Sequence, residues 1–368
     1  MIPVCRPMFI KSEKNFVYEC LETNWISSQG KFVEGFEARF SKFCGVSHGI
    51  SCTNGTTALH LALLSLEIGK GDEVIVPNFC MIAIPNSVTY TGAKPVFVDV
   101  DAGSWNIDPE LIEKKITRRT KVIIASHNFG IPCDMDEINR IAKKHKLKVI
   151  EDGSEAHGAT YKDKKVGSLS DIAIFSFYAN KILTAGEGGM VVTNNEDLAK
   201  KCKSFRNHCF KEPRFMHDEI GYNYRMSNIH AAIAISQVEH ADKLIGMRNE
   251  VGEMYKQQLK DVKGIYFQPE YFDGDKVCWM FCILVNEKEF GMSKETLMEF
   301  LKKAGVDTRS LFYPNHKQPC YKYLKIKVNY PVSEMLWEKG LYLPSSTDLT
   351  DLEIKRICET IKGAQNDR

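Results

Sequence analysis

The stretch DIAIFSFYANKILTAGEGGMVVTN, residues 171–194, decides the fold. It holds two apolar runs, DIAIFSF (171–177) and GMVVTN (189–194), joined by a loop of small residues around a local positive charge, Lys181. Neither run alternates apolar with polar residues. Near-continuous runs of this length suit strands covered on both faces. Four further runs share the pattern: EVIVP (73–77), KPVFVDV (94–100), KVIIASH (121–127) and KVIEDG (148–153). Helix-period segments lie between several of them. TTALHLALLSLEIG (56–69) carries apolar Leu59, Ala62, Leu63 and Leu66 and stops at Gly69. DPELIEKKIT (108–117) opens on an Asp cap with Pro in the first helical position, and CDMDEINRIAKKHK (133–146) reads as another amphipathic helix. This alternation predicts an α/β domain with a mostly parallel sheet and helices on both faces. The pair at 171–177 and 189–194 has only a loop between its strands, so part of the sheet is expected to be antiparallel.

Beyond about residue 195 the pattern changes. Residues 228–261 read as one long helix connecting two lobes. The runs GIYFQPE (264–270) and CWMFCILV (278–285), the helix pattern SKETLMEFLKKAG (293–305), the Pro-rich loop FYPNHKQPCY (312–321) and a closing helix predict a smaller α+β domain. The expected division is 1–245 and 246–368.

Composition narrows the function. The 368 residues are 43% apolar, enough for a large core, with a net charge of +2 and interspersed signs. There is no basic stripe for nucleic acid and no polybasic patch for a membrane surface. No run of about 18 apolar residues occurs, and the N-terminal apolar run is too short for a signal peptide, so a soluble cytoplasmic protein is expected. Twelve cysteines are scattered without CxxC pairs, and Cys278 and Cys282 read as part of a packed strand. Reduced thiols and no metal site are expected.

On open α/β sheets, ligands bind beyond the carboxyl ends of the strands. Four features lie there. In SCTNGTTALHL (51–61) a small-residue turn opens a helix, which is either an ordinary cap or an anion site built from free N–H groups. In VIEDGSEAHG (149–158) a buried strand ends in acids. Asp152 there needs a cationic partner, either a basic side chain or a protonated heterocyclic nitrogen. Lys181 is either a solvated loop residue or an amine held in a pocket beside that acid. GYNYRMSNIHAAI (221–233) places Asn223 and Arg225 in an aromatic setting before a long helix, a candidate dimer contact.

Taken together, these segments, with TNWISSQGKFVEGFE (23–37), CDMD (133–136) and DTRSLFYPNHKQPCY (307–321), resemble the nucleotide-sugar aminotransferases of the DegT/StrS type. These are pyridoxal 5′-phosphate (PLP) enzymes of fold type I, and the resemblance covers nearly the whole chain. It implies a three-layer fold with a seven-stranded, mostly parallel sheet and a smaller α+β C-terminal domain. It is strongest to the perosamine-forming branch, which moves an amino group from L-glutamate to C4 of GDP-4-keto-6-deoxymannose through pyridoxamine 5′-phosphate. The viosamine-forming branch, acting on dTDP- or UDP-4-keto-6-deoxyglucose, matches the same motifs. A related PLP-dependent sugar dehydratase carries histidine at the lysine position, so Lys181 argues against it. An NAD-dependent oxidoreductase would want G-x-G-x-x-G after its first strand, and GEGGM lies mid-chain instead.

Position by position, the resemblance implies the following roles. Lys181 bonds the cofactor and later moves a proton from the amino acid Cα. Asp152 pairs with the ring nitrogen. Gly55, Thr56 and Ser176 hold the phosphate, and Asn223 reaches it from the partner subunit of a homodimer with shared active sites. Glu155 lies near the ring 3′-oxygen. Trp25, His157, Arg225, Arg309, His316 and Tyr321 fall in segments near the sugar nucleotide. The family commonly stacks an aromatic residue on the ring; here Cys80-Met81 occupies that place, so Met81 or a displaced Phe79 is expected to cover it.

Overall fold

The computed structural model describes residues 1–269 and 273–366. The main sheet has seven strands: β1 (His48–Cys52), β2 (Glu73–Pro77), β3 (Lys94–Val98), β4 (Thr120–Ser126), β5 (Lys148–Asp152), β6 (Ile172–Ser176) and β7 (Gly189–Thr193). Their order is β1-β7-β6-β5-β4-β2-β3. The block from β3 to β6 is parallel throughout. β7 is antiparallel to both β6 and β1, as the short connection between 171–177 and 189–194 requires.

The continuous apolar runs have a direct cause. Along each strand, alternate residues enter opposite cores. Val122, Ile124, Ile172 and Ile174 pack under the helix Gly55–Ser65. On the other face, Ile123 and Val149 meet the helix Met135–His145, while Ala173 and Phe175 meet the helices Lys31–Cys44 and Asn228–Glu239. Each such Val, Ile or Phe contributes roughly 1.5–3 kcal/mol of burial. Three layers follow, with the site edge left to the loops.

The chain at 228–261 is two helices, Asn228–Glu239 and Ala241–Leu259, not one. His240 leaves helical geometry at φ −115°, and its Nδ1–H donates to the Ser236 carbonyl at 2.9 Å. The break turns the chain from a helix packed on the seven-stranded sheet to one packed largely against a four-stranded sheet. The second helix joins Lys294–Lys303 and Asp351–Asn366 over a four-stranded antiparallel sheet formed by Ile265–Phe267, Cys282–Val285, Gly340–Tyr342 and Arg309–Ser310. The 245/246 division falls inside Ala241–Leu259. Glu270, at the end of the run 264–270, lies outside the described residues.

In the run CWMFCILV only Cys282–Val285 is strand. The reason is Trp279: its carbonyl accepts from the buried Arg248 guanidinium at 2.9 Å, and its indole points into the large domain. Among the described residues no helix is long and apolar enough to cross a membrane.

Candidate active site

β4, β5 and β6 are parallel, so Ser126, Asp152 and Ser176 end on one edge of the sheet. The turns that leave this edge bring the titratable groups together. After β6, the Lys181 N–H donates to the Tyr178 carbonyl at 2.9 Å and the Ala185 N–H to the Phe177 carbonyl at 2.9 Å. This tight turn folds Lys181 back toward the sheet. Its side chain is 11% exposed, with Nζ 3.7 Å from Glu155 Oε1 and 3.8 Å from the centre of the Trp279 ring. Burial pushes the amine below the usual lysine range, while the Glu155 and Asp152 carboxylates pull the other way.

Glu155 sits in the turn after β5. Burial pushes its carboxyl up to about 7, against the pull of Lys181 and of the Phe129 N–H, which donates to Oε2 at 2.9 Å. Phe129 reaches it from the turn after β4, where its backbone takes φ +55°. A folded value above the unfolded one means that this group's stability contribution is present below about pH 4.5 and lost as pH rises through 7. In the cofactor-free protein, Glu155→Gln is therefore expected to flatten the fall of thermal stability between pH 5 and 8. The part removed is up to roughly 3 kcal/mol. Melting curves across that window check it, and an unchanged slope would refute the assignment.

Asp152 closes the cluster. Its side chain is buried, and Oδ1 accepts the Ser154 N–H at 3.0 Å. Burial raises its pKa; the Ser154 hydrogen bonds, then Lys181 and His127, oppose the shift. Behind it, Glu151 is fully buried and accepts from the Gly167 and Leu169 N–H groups, each at 2.9 Å, and from the Ser170 hydroxyl at 3.0 Å. The Cys133 N–H donates to His127 Nδ1 at 3.0 Å, so Nε2 carries the proton and donates to Glu151 at 3.2 Å. This satisfied network ties the ends of β4 and β5 together.

β1 delivers the helix Gly55–Ser65 to the same edge. Asn54 caps it: the Thr57 N–H donates to Asn54 Oδ1 at 3.0 Å, and the Asn54 N–H donates to the Thr57 hydroxyl at 3.2 Å. The first N–H groups, those of Gly55 and Thr56, have no place in the helix ladder. Gly55 lies against Ser176, where an added Cβ would come 2.8 Å from the Ser176 Cβ. Gly189, at the start of β7, passes so close to Asn54 that a Cβ there would lie 2.2 Å from its carbonyl oxygen. The last glycine of GEGGM thus serves the approach of β7 to the cap. N–H donors, a dipole and a hydroxyl converge there as an anion cradle.

A buried acid, a buried amine and an anion cradle on one edge match the ring nitrogen, aldehyde and phosphate of PLP. The residues present fit that group.

The other sequence candidates have different surroundings. Met81 is 52% exposed after β2, whereas Phe79 is buried against Phe129 and Phe312. His157 is enclosed by Phe40, Phe175 and Phe177, neither ring nitrogen has a partner, and burial pushes its pKa down to about 3. The Trp25 carbonyl accepts from Asn228, and its indole is exposed. Asn223 is exposed. Arg225 donates to Asn207 at 2.7 Å and, with Lys203, Arg206, His208 and Arg214, lines a cavity of about 1060 Å³. Arg309 is bound to Asp307, His316 to Asn78 and Glu334, and Tyr321 to Asn86 at 2.7 Å.

Three participants went unflagged in the sequence: His127, Phe129 and Trp279. His127, which pairs with Glu151, one of the strand-end acids, was signalled only by its place at a strand end, and Phe129 by the glycine after it. Trp279 was hidden in an apolar run, although an indole N–H in such a run needs a partner.

Comparison with known proteins agrees with this geometry. The model of the DegT/DnrJ/EryC1/StrS aminotransferase family matches residues 7–362. The chain is 42% identical over 370 residues to a GDP-perosamine synthase of Escherichia coli O157:H7, covering 100% of this chain and 99% of the relative. Among solved structures it is similar to Helicobacter pylori PseC, an aminotransferase involved in the biosynthesis of pseudoaminic acid, with TM-score 0.94, 28% identity and 100% of both chains covered. An aminotransferase from Psychrobacter cryohalolentis matches with TM-score 0.92 and 31% identity over 98% of each chain. With a whole-chain family match and an acid, an amine and an anion cradle on one sheet edge, this chain belongs to the DegT/DnrJ/EryC1/StrS aminotransferase family.

Proposed function

We propose that this enzyme transfers the amino group of L-glutamate to C4 of GDP-4-keto-6-deoxymannose, giving GDP-perosamine. The observation that carries an aminotransferase reading is the buried Lys181 amine between Glu155 and the Trp279 face, on the same edge as Asp152. The 42% identical relative named GDP-perosamine synthase supports the sugar. When bound, PLP supplies an electron-accepting ring that carries the amino group from one substrate to the other.

The chain's own residues do the rest. Gly55, Thr56 and Ser176 anchor the phosphate through N–H and hydroxyl donors. Asp152 would hold a proton at the ring nitrogen, because a buried carboxylate favours a cation beside it. Glu155, its carboxyl pushed up to about 7 by burial, would face the ring oxygen and exchange a proton near neutral pH. Lys181 takes the proton from the glutamate Cα, and burial lowers the hold of its amine on a proton. Met81, exposed after β2, or Phe79 would cover the ring face. Asn223, exposed in this chain, would reach a partner subunit's phosphate, and the working unit would then be a homodimer. The cavity lined by Lys203, Arg214 and Arg225, with Glu212 on the same wall and Arg206 paired to Glu37, would offer cationic side chains to a nucleoside diphosphate.

The test is a panel of GDP-4-keto-6-deoxymannose and dTDP- and UDP-4-keto-6-deoxyglucose, each incubated with glutamate, with product masses and initial rates measured. The GDP sugar is expected to react with kcat/KM at least about tenfold higher. Faster turnover of a deoxyglucose nucleotide would reassign the substrate to the viosamine branch.

A further inference from the structure

The small domain reaches the reactive amine through one side chain. Trp279 comes from the irregular segment before the strand Cys282–Val285, yet its ring centre lies 3.8 Å from Lys181 Nζ. Several contacts from separate parts of the chain hold it there. The indole N–H donates to the carbonyl of Asn180, the residue preceding Lys181, at 3.0 Å. The Trp279 carbonyl is held by Arg248, itself buried. The Phe129 ring stacks on the indole at 5.7 Å and 25°. The Phe129 N–H also fixes Glu155, whose other oxygen is the 3.7 Å neighbour of Lys181. The contacts close a ring: Lys181, Glu155, Phe129, Trp279 and back to Lys181.

We propose that Trp279 is a positioning residue for the reactive amine, its indole face and the Glu155 carboxylate forming a two-walled seat that Lys181 occupies whenever it is not bonded to the cofactor. This rests on the aminotransferase reading of Lys181. A transaminase lysine must be released and recaptured in each cycle, so it needs a resting place within reach of the reaction centre. A second carboxylate in place of the indole would hold the ammonium tightly and make a poor base. An aromatic face attracts the cation through its quadrupole, without net charge and without a directional hydrogen bond. It therefore steers the amine while leaving its proton exchangeable. Asp152 also acts on the Lys181 charge, and Lys181 in turn acts on the buried His157.

The experiment measures the amine itself. Full-length protein freed of cofactor is labelled with trace acetic anhydride across pH, and the extent at Lys181 is read by peptide mass spectrometry against exposed Lys200. Removing the face removes an interaction that favours the ammonium. The apparent pKa of Lys181 is expected to fall by about half a unit or more in Trp279→Leu, and by less in Trp279→Phe, which keeps a weaker face. In the holoenzyme the same order is expected in kcat, with a loss of roughly threefold or more in Trp279→Leu and KM for glutamate little changed. A Lys181 pKa that is unchanged or raised in Trp279→Leu overturns the proposal, as does equal behaviour of the two variants. If Trp279→Leu does not fold, Trp279→Phe alone decides, because its pKa must still fall below wild type. Failure of the functional reading would show separately, as wild-type protein that neither retains PLP nor turns over.

Discussion

Lys181→Ala is expected to abolish amino transfer while leaving a folded protein. The loss should be on the order of 10⁴-fold or more. A positioned general base alone contributes 10²–10⁴, and this residue also captures the cofactor. The fold should survive for a reason visible in the site. Removing the ammonium leaves Glu155 without its cation, but burial already holds that carboxyl at about 7, so it takes up a proton at little expense. The lysine turn itself is held by backbone bonds at Tyr178 and Phe177 that do not involve the side chain. Two measurements check the expectation. Turnover of glutamate with the keto-sugar should vanish. Borohydride treatment should fix the cofactor to the Lys181 peptide of wild type and to no peptide of the variant. Turnover within tenfold of wild type would remove Lys181 from the mechanism.

The sequence made the scaffold legible because the parallel sheet writes its own pattern. Residues such as Ile172, Ala173, Ile174 and Phe175 are all apolar because both faces of the strand are covered, and their recurrence between helix patterns points to a parallel sheet. Asp152 and Lys181 were legible for a related reason: a charge just beyond a buried strand is costly unless it is used. What could not be read were contacts that depend on where separate segments meet. Trp279 lies 98 positions from Lys181, and its run looked like a strand until Arg248 and Asn180 pulled it out of register. The single helix expected over 228–261 failed at His240, where periodicity continues but the packing partner changes. His316 and Tyr321 sat in a segment read as substrate-facing. In the fold, their polar atoms are engaged by Asn78, Glu334 and Asn86, partners that no local pattern announces.

Asp152→Asn is expected to give changes of opposite sign in the two forms of the protein. Asparagine keeps the shape and the Oδ1 acceptor for the Ser154 N–H, and removes only the charge. In the working enzyme, breaking a buried charge pair costs about 3–5 kcal/mol, so kcat should fall on the order of 10²–10³-fold, and PLP should be lost more readily on dialysis. In the cofactor-free protein the same carboxylate is a burden. Its folded pKa is raised by burial, so its stability contribution is present below the unfolded value near 3.8 and lost as pH rises through the folded one. At neutral pH the burial of this carboxyl therefore works against the empty fold, and Asp152→Asn should raise the cofactor-free melting temperature while lowering activity. A structural ion pair with Lys181 would behave otherwise: its removal would lower the melting temperature and spare turnover. Melting curves of both forms, read beside kcat, separate the two. If activity and cofactor-free stability fall together, Asp152 holds the fold rather than the ring nitrogen.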